Sequence, residues 1–170
     1  VSGRTRILGI DPGSQITGFG IVDVDGGKSS VVRWGIIKTA GDHSMRLRTI
    51  FAELGRVVRE LVPAEIAIES VFVHRNADSA LKLGQARAAA LCATFAAELP
   101  VFEYSPRHIK KAVVGTGRAE KTQVQHMVKL MLGLREALPP DAADALAAAL
   151  CHVHSRSARA TILEAAAGAT

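Results

Sequence analysis

Hydrophobic and turn-forming positions divide the chain into short segments from its start. Ile7, Leu8 and Ile10 form an apolar run that ends on Asp11; Pro12-Gly13 supplies a turn, and a second β-rich run, Thr17 to Val22, leads away from it. The pattern predicts a β-hairpin. Asp25-Gly26-Gly27 predicts another turn and Ser30 to Thr39 a third strand, so the first forty residues read as an antiparallel meander. Between Ser44 and Leu61 the apolar positions Leu47, Ile50, Leu54, Val57, Val58 and Leu61 have the spacing of an amphipathic helix, closed by Pro63. Ala64 to Ser70 follows, with Ile66, Ala67 and Ile68 contiguous, as expected of a strand covered on both faces; it carries Glu69 at its end.

The remainder alternates. Val71 to Asp78 reads as a loop, Ser79 to Leu99 as an alanine-rich helix stopped by Pro100, and Val101 to Tyr104 as another short strand. Ser105-Pro106 opens a helix with a hydroxyl cap and a first-turn proline, and that helix ends near Gly115. A basic loop, Gly115 to Lys121, precedes a helix from Thr122 to Leu132 that Gly133 ends. After the linker Leu134 to Pro140, a last helix is predicted from Asp141 to about His154, and the tail 155–170 is expected to fray. A meander followed by alternating helices and strands predicts one α/β domain over residues 1–170, with a mixed five-stranded sheet and a core at about 6–154.

Composition narrows this picture. Hydrophobic residues make up 48% and charged residues 22% of the 170, which sets the chain apart from disordered ones. The net charge of +5 favours an anionic partner such as nucleic acid. Cys92 and Cys151 lie in alanine-rich segments and form no close pair, which predicts reduced, packed thiols in a cytoplasmic protein. No secretory leader and no membrane-spanning run is expected. Cys151, His152 and His154 crowd one helix without the spacing of a structural zinc site, and packing is their expected role.

Four acids carry the candidate chemistry. Asp11 and Glu69 end strands, whereas Asp141 and Asp144, three residues apart, share one helix face. Three of them have a structural alternative: Asp11 as a turn residue, Asp141 as a helix cap and Asp144 as a first-turn acid favoured by the dipole. Gathering all four without a cation would incur strong repulsion. An all-oxygen set suits Mg²⁺, and a pair of ions would act on both the attacking and the leaving oxygen of a phosphodiester.

The segments LGIDPGSQITGFGIV, AIES, VFVHRNADSALKLGQARA, FEYSPRHIKKAVVGTGRAEKTQVQHMV and DAADALAAALCH together resemble the RuvC family of bacterial Holliday junction resolvases, over roughly Arg6 to His154. The resemblance implies a ribonuclease H-like fold, a homodimer and a four-way DNA junction as substrate. It also implies symmetric Mg²⁺-dependent cleavage, with two ions per subunit and Mn²⁺ as a substitute, during recombination and repair, and a partnership with the RuvA–RuvB branch-migration complex. Asp11, Glu69, Asp141 and Asp144 fall on the family's catalytic acids.

By the same resemblance, Phe72 is the aromatic set against bases near the crossover, and Lys110 and Lys121 lie near the scissile phosphate; His74, Arg75 and Arg118 share these DNA-facing loops. Gly84, inside a helix, predicts close packing there, with the dimer contact as one setting. Three rival readings stand beside this one. Asp11-Pro-Gly-Ser14 resembles the phosphate-gripping hairpin of actin-like and sugar kinases, which need two such domains. A nuclease family acting on ribosomal RNA precursors shares the hairpin. A junction-binding protein without catalysis would use its acids only for capping.

Overall fold

The computed structural model describes residues 3–70 and 76–167. The chain runs through β1 (Thr5–Asp11), β2 (Ile16–Asp25), β3 (Lys28–Lys38), α1 (His43–Leu61), β4 (Glu65–Glu69), α2 (Ala77–Cys92), β5 (Val101–Tyr104), α3 (Pro106–Val114), α4 (Lys121–Leu132) and α5 (Pro140–Ala167). The expected mixed five-stranded sheet is present, in the order β3-β2-β1-β4-β5. β1–β3 pair antiparallel, and β4 and β5 join parallel to β1, in the crossover pattern that buries both faces.

Alternation along the strands divides the core. Leu8, Ile10, Phe19, Ile21, Ile66 and Ile68 face α1 and α2. Ile7, Val22, Ala67 and Tyr104 face α3, α4 and α5. Asp11 and Glu69 continue the second series by the period of two, so both acids belong to the face that α5 covers.

α5 lies unusually close to that face because of side chains that are missing. A Cβ on Gly9 would overlap the Ala145 carbonyl, one on Gly18 the Asp141 carbonyl, and one on Gly20 the Leu146 side chain. The facing helix contributes buried Ala142, Ala145 and Ala149, so its backbone rests directly on Gly9 and Gly18, while the Leu146 side chain fills the space over Gly20.

Local signals mostly hold. Asp42 caps α1 by accepting from the Met45 N–H at 2.9 Å, and Ser105 caps α3 through His108 N–H at 3.2 Å. Glu120 and Gln123 form a reciprocal capping box on α4, and Gly115 and Gly133 end their helices at φ 86° and 65°.

Three expectations are corrected. α5 starts at Pro140 and continues to Ala167, so residues 155–167 of the segment expected to fray extend the helix. α2 stops at Cys92, and a 3₁₀ turn, Phe95–Ala97, replaces its predicted last turns. Cys92 is exposed and only Cys151 is packed, its thiol pushed up to about 11 by burial. Among the described residues Gly84 meets nothing within 4 Å, so its expected close packing is left to a contact outside them. Among the described residues no helix is long and apolar enough to cross a membrane.

Candidate active site

Asp11 and Glu69 are the last residues of adjacent parallel strands, and Asp144 lies in the first turns of the helix across them. The three carboxylates line one cavity of about 250 Å³, together with Lys110, Lys121, Pro106, Ile109 and Val124. Asp141 is not part of its lining. It sits one turn before Asp144, where its backbone carbonyl rests over Gly18, the residue paired with Asp11. α5 begins one residue earlier than expected, at Pro140, so Asp141 lies within the first turn and is not the cap.

Crowding of like charge is the site's chief electrostatic property. Burial first, and then repulsion from Asp144, Glu69 and Asp141, together push the Asp11 carboxyl up to about 8, from an ordinary 3.8, against the pull of Lys121. Glu69 is raised as well, first by burial and then by Asp144, with Lys121 and Lys110 opposing. Lys121 Nζ pairs with Asp144 Oδ2 at 3.2 Å, and this carboxylate, with Asp11 and Glu69, raises the lysine in turn. Two ammonium groups, Lys110 and Lys121, do not balance four acids, so further positive charge is favoured here. The N-terminus of α5 adds its partial positive charge from the same side.

Among the described residues, no three acid, imidazole or thiol groups stand close enough to ligate one ion as they are placed. Binding one would require the carboxylates to draw inward and Lys121 to move off Asp144. The donor chemistry nevertheless suits a hard divalent cation: the groups are all carboxylate oxygens, and their proton-binding tendency reports the excess negative potential that such a cation would neutralise.

The nucleic-acid candidates separate into groups. Lys110 and Lys121 line the cavity, whereas Arg118 is exposed in the turn before α4, where its backbone N–H donates to Thr116 Oγ1 at 3.4 Å. Phe72, His74 and Arg75 lie outside the described residues.

Two features escaped the sequence reading. One is the Gly9, Gly18 and Gly20 patch, whose signal was glycine at alternate strand positions opposite an alanine-rich helix. The other is a buried polar chain at the far end of β4. His152, fully buried, contacts Tyr104 Oη through Nδ1 and Glu65 Oε2 through Nε2, both at 2.6 Å, while Phe102 stacks on its ring at 4.2 Å. A neutral imidazole that donates from Nε2 and accepts at Nδ1 satisfies all three groups. Arg156 Nε lies 3.2 Å from the same Glu65 oxygen.

Comparison with known proteins agrees with this architecture. The family model described as crossover junction endodeoxyribonuclease RuvC matches residues 7–152. The protein of that name from Methylococcus capsulatus is 56% identical over 89% of this chain and 92% of its own length, and that from Halorhodospira halophila is 56% identical over 91% and 93%. The structure of Thermus thermophilus RuvC in complex with a Holliday junction substrate superposes with a TM-score of 0.84 at 36% identity, covering 91% of this chain and 96% of that one. The ribonuclease H-like fold expected from the sequence is thereby met, and the chain belongs to the RuvC family of crossover junction endodeoxyribonucleases.

Proposed function

We propose that this chain resolves four-way DNA junctions by hydrolysing phosphodiesters at the acid-lined cavity, with Asp11, Glu69, Asp141 and Asp144 as its catalytic carboxylates. One observation carries the reading: four acids from two strand ends and a helix start act on one another, and burial with their repulsion holds Asp11 up to about 8. Nothing in the packing of the core requires such a concentration of charge. It is the arrangement expected where cations and a phosphate complete the balance.

The four acids would hold Mg²⁺, as two ions per subunit, and Mn²⁺ would serve in its place. Bound there, the metal supplies positive charge to the phosphate oxygens and a more acidic water. The residues themselves position the reaction. Asp11, shared between its neighbours, orients the donors from both sides, and Lys121 exchanges its contact with Asp144 for a phosphate oxygen. Lys110 adds a second cation, and Pro106, Ile109 and Val124 form an apolar wall that limits water on one side. Phe72 would stack on a base near the crossover, and His74, Arg75 and Arg118 would contact the backbone beside it.

A homodimer would set two such cavities about a two-fold axis, matching the junction's own symmetry and giving paired, ligatable nicks. The exposed face of α2 at Ala77, Ala80, Leu81, Gly84 and Ala88 suits that contact, because open apolar surface there has no cover among the described residues. The RuvA–RuvB complex is the proposed partner in branch migration, and the cytoplasm the proposed compartment.

The test is Asp11→Asn on a mobile synthetic junction with and without Mg²⁺. Symmetric nicking by the unaltered chain, with junction binding kept and nicking lost in the variant, supports the assignment. Normal nicking by Asp11→Asn would overturn it, and binding without nicking by the unaltered chain would favour the non-catalytic reading.

A further inference from the structure

We propose that the pocket formed by Ser14, Gly41, Asp42, His43, Arg46 and Lys82 is a second phosphate-binding subsite, which grips the DNA backbone a few nucleotides from the cut. The inference rests on the junction-cutting reading and adds a contact outside the acid cavity.

The pocket, of about 270 Å³, is assembled from three separate parts of the chain: the turn after β1, the start of α1, and the second turn of α2. All three lie at the end of the sheet where β1 and β4 finish on Asp11 and Glu69. The β1–β2 turn is held to the strand beyond it by Thr39, whose Oγ1 donates to the Ser14 carbonyl at 2.8 Å and whose N–H donates to that of Gln15 at 2.9 Å. The acid cavity opens on the α5 side of this end and the pocket on the α1 and α2 side. β3 stands two strands from β1, a lateral offset on the order of 10 Å. At about 3.4 Å of duplex axis per nucleotide, a backbone crossing the sheet end would span that offset in roughly three nucleotides.

The lining chemistry suits a phosphate group. His43, Arg46 and Lys82 contribute cationic or donor groups against one carboxylate, Asp42, which is already engaged in capping α1. Arg46 Nε donates to the Gly41 carbonyl at 3.0 Å, which seats the guanidinium in the pocket wall with its terminal amino groups still available. Lys82 Nζ pairs with Asp78 at 2.6 Å, but both side chains are half exposed or more, and such a pair exchanges for a phosphate oxygen at little cost. His43 Nε2 meets Gln85 Oε1 at 2.6 Å, which orients the ring beside the other two. Ser14 offers its hydroxyl from the hairpin turn.

The experiment measures junction affinity without divalent cation from 50 to 200 mM salt for the full chain, R46A/K82A, K82A alone, and K28A. Lys28 begins β3 at the opposite end of the sheet. Removing one phosphate-binding side chain should flatten the plot of log affinity against log salt by about 0.9, so the slope should become shallower by roughly two such steps in the double variant and by one in K82A. K28A should match the unaltered chain, and single-turnover nicking at saturating protein should stay within about twofold. A neutral methylphosphonate two to five nucleotides from the cut should weaken the unaltered chain and leave R46A/K82A unaffected. Because K82A removes only an exposed side chain, it keeps the test valid should the double variant fold poorly. Unchanged slopes in K82A, or an equal loss in K28A, would overturn the subsite. So would a loss of binding to a polyglutamate peptide with DNA binding intact, which would assign the pocket to an acidic protein. Failure of the unaltered chain to nick would instead strike the junction-cutting reading, whatever the slopes.

Discussion

β4 begins and ends on a glutamate, and both side chains point to the face covered by α5, yet the two live in opposite conditions. Glu65, at the start, accepts from His152 at 2.6 Å and lies 3.2 Å from Arg156. Glu69, about 13 Å further on, shares its surroundings with Asp11 and Asp144 and is raised by burial and repulsion. One end is a satisfied polar network that ties β4 and β5 to α5. The other is a concentration of charge that the fold tolerates and does not itself balance. Satisfied buried polarity serves cohesion, and unbalanced polarity marks where something else must bind.

The comparison breaks most sharply under substitution at its two ends. Asp11→Asn should lower junction cutting by about 10³-fold or more, roughly 4 kcal/mol in the barrier, while junction affinity is retained. Single-turnover nicking with a parallel gel-shift titration measures both. Gly18→Ala comes next: its methyl overlaps the Asp141 carbonyl, so α5 must lift, at about 1–3 kcal/mol in denaturant unfolding and with a fall in cutting. His152→Leu leaves Glu65 and Tyr104 without their shared partner and should lower stability by about 2 kcal/mol, with cutting under stabilising conditions largely kept. Equal losses of cutting in Asp11→Asn and His152→Leu would erase the distinction drawn between the two ends.

A pH series sharpens it further. Folded Asp11 holds its proton up to about 8, whereas the unfolded carboxyl releases it near 3.8, so in this interval the native state binds more protons. Stability without divalent cation should therefore fall as pH rises from about 4 to about 8, by up to about 1.4 kcal/mol per pH unit. Asp11→Asn should flatten that slope, and Mg²⁺ should restore stability most strongly at the alkaline end; urea midpoints across pH read both. The smallest effect is expected at Arg56, whose partners Glu53 and Glu60 are exposed on one face of α1. Arg56→Ala should leave the midpoint within experimental scatter.

Much of this was legible in the chain. Turn signals and two hydrophobic periods predicted the five strands and the approximate places of the helices, because these depend on neighbours within a few residues. The four acids could be named from their positions at strand ends and in one helix turn. The ends of α2 and α5 were not legible: α2 stops at Cys92 inside an alanine-rich stretch with no glycine or proline at its cap, and α5 runs on through a stretch of weak pattern. His152 could be read as a packed residue, but its partners lie 48 and 87 positions away, and no local pattern records them.

The sequence by itself determined which side chains carry charge, which segments extend or coil, and that Asp11 and Glu69 each end an apolar, strand-forming run. Only the tertiary structure decided that they share a face, that a glycine patch brings the Asp141 and Asp144 turn down onto them, and that burial there turns ordinary carboxyls into strong proton binders. The physical reason is range: backbone preference acts over a few residues, whereas desolvation and charge repulsion depend on distances through space that only the packed helix and sheet establish.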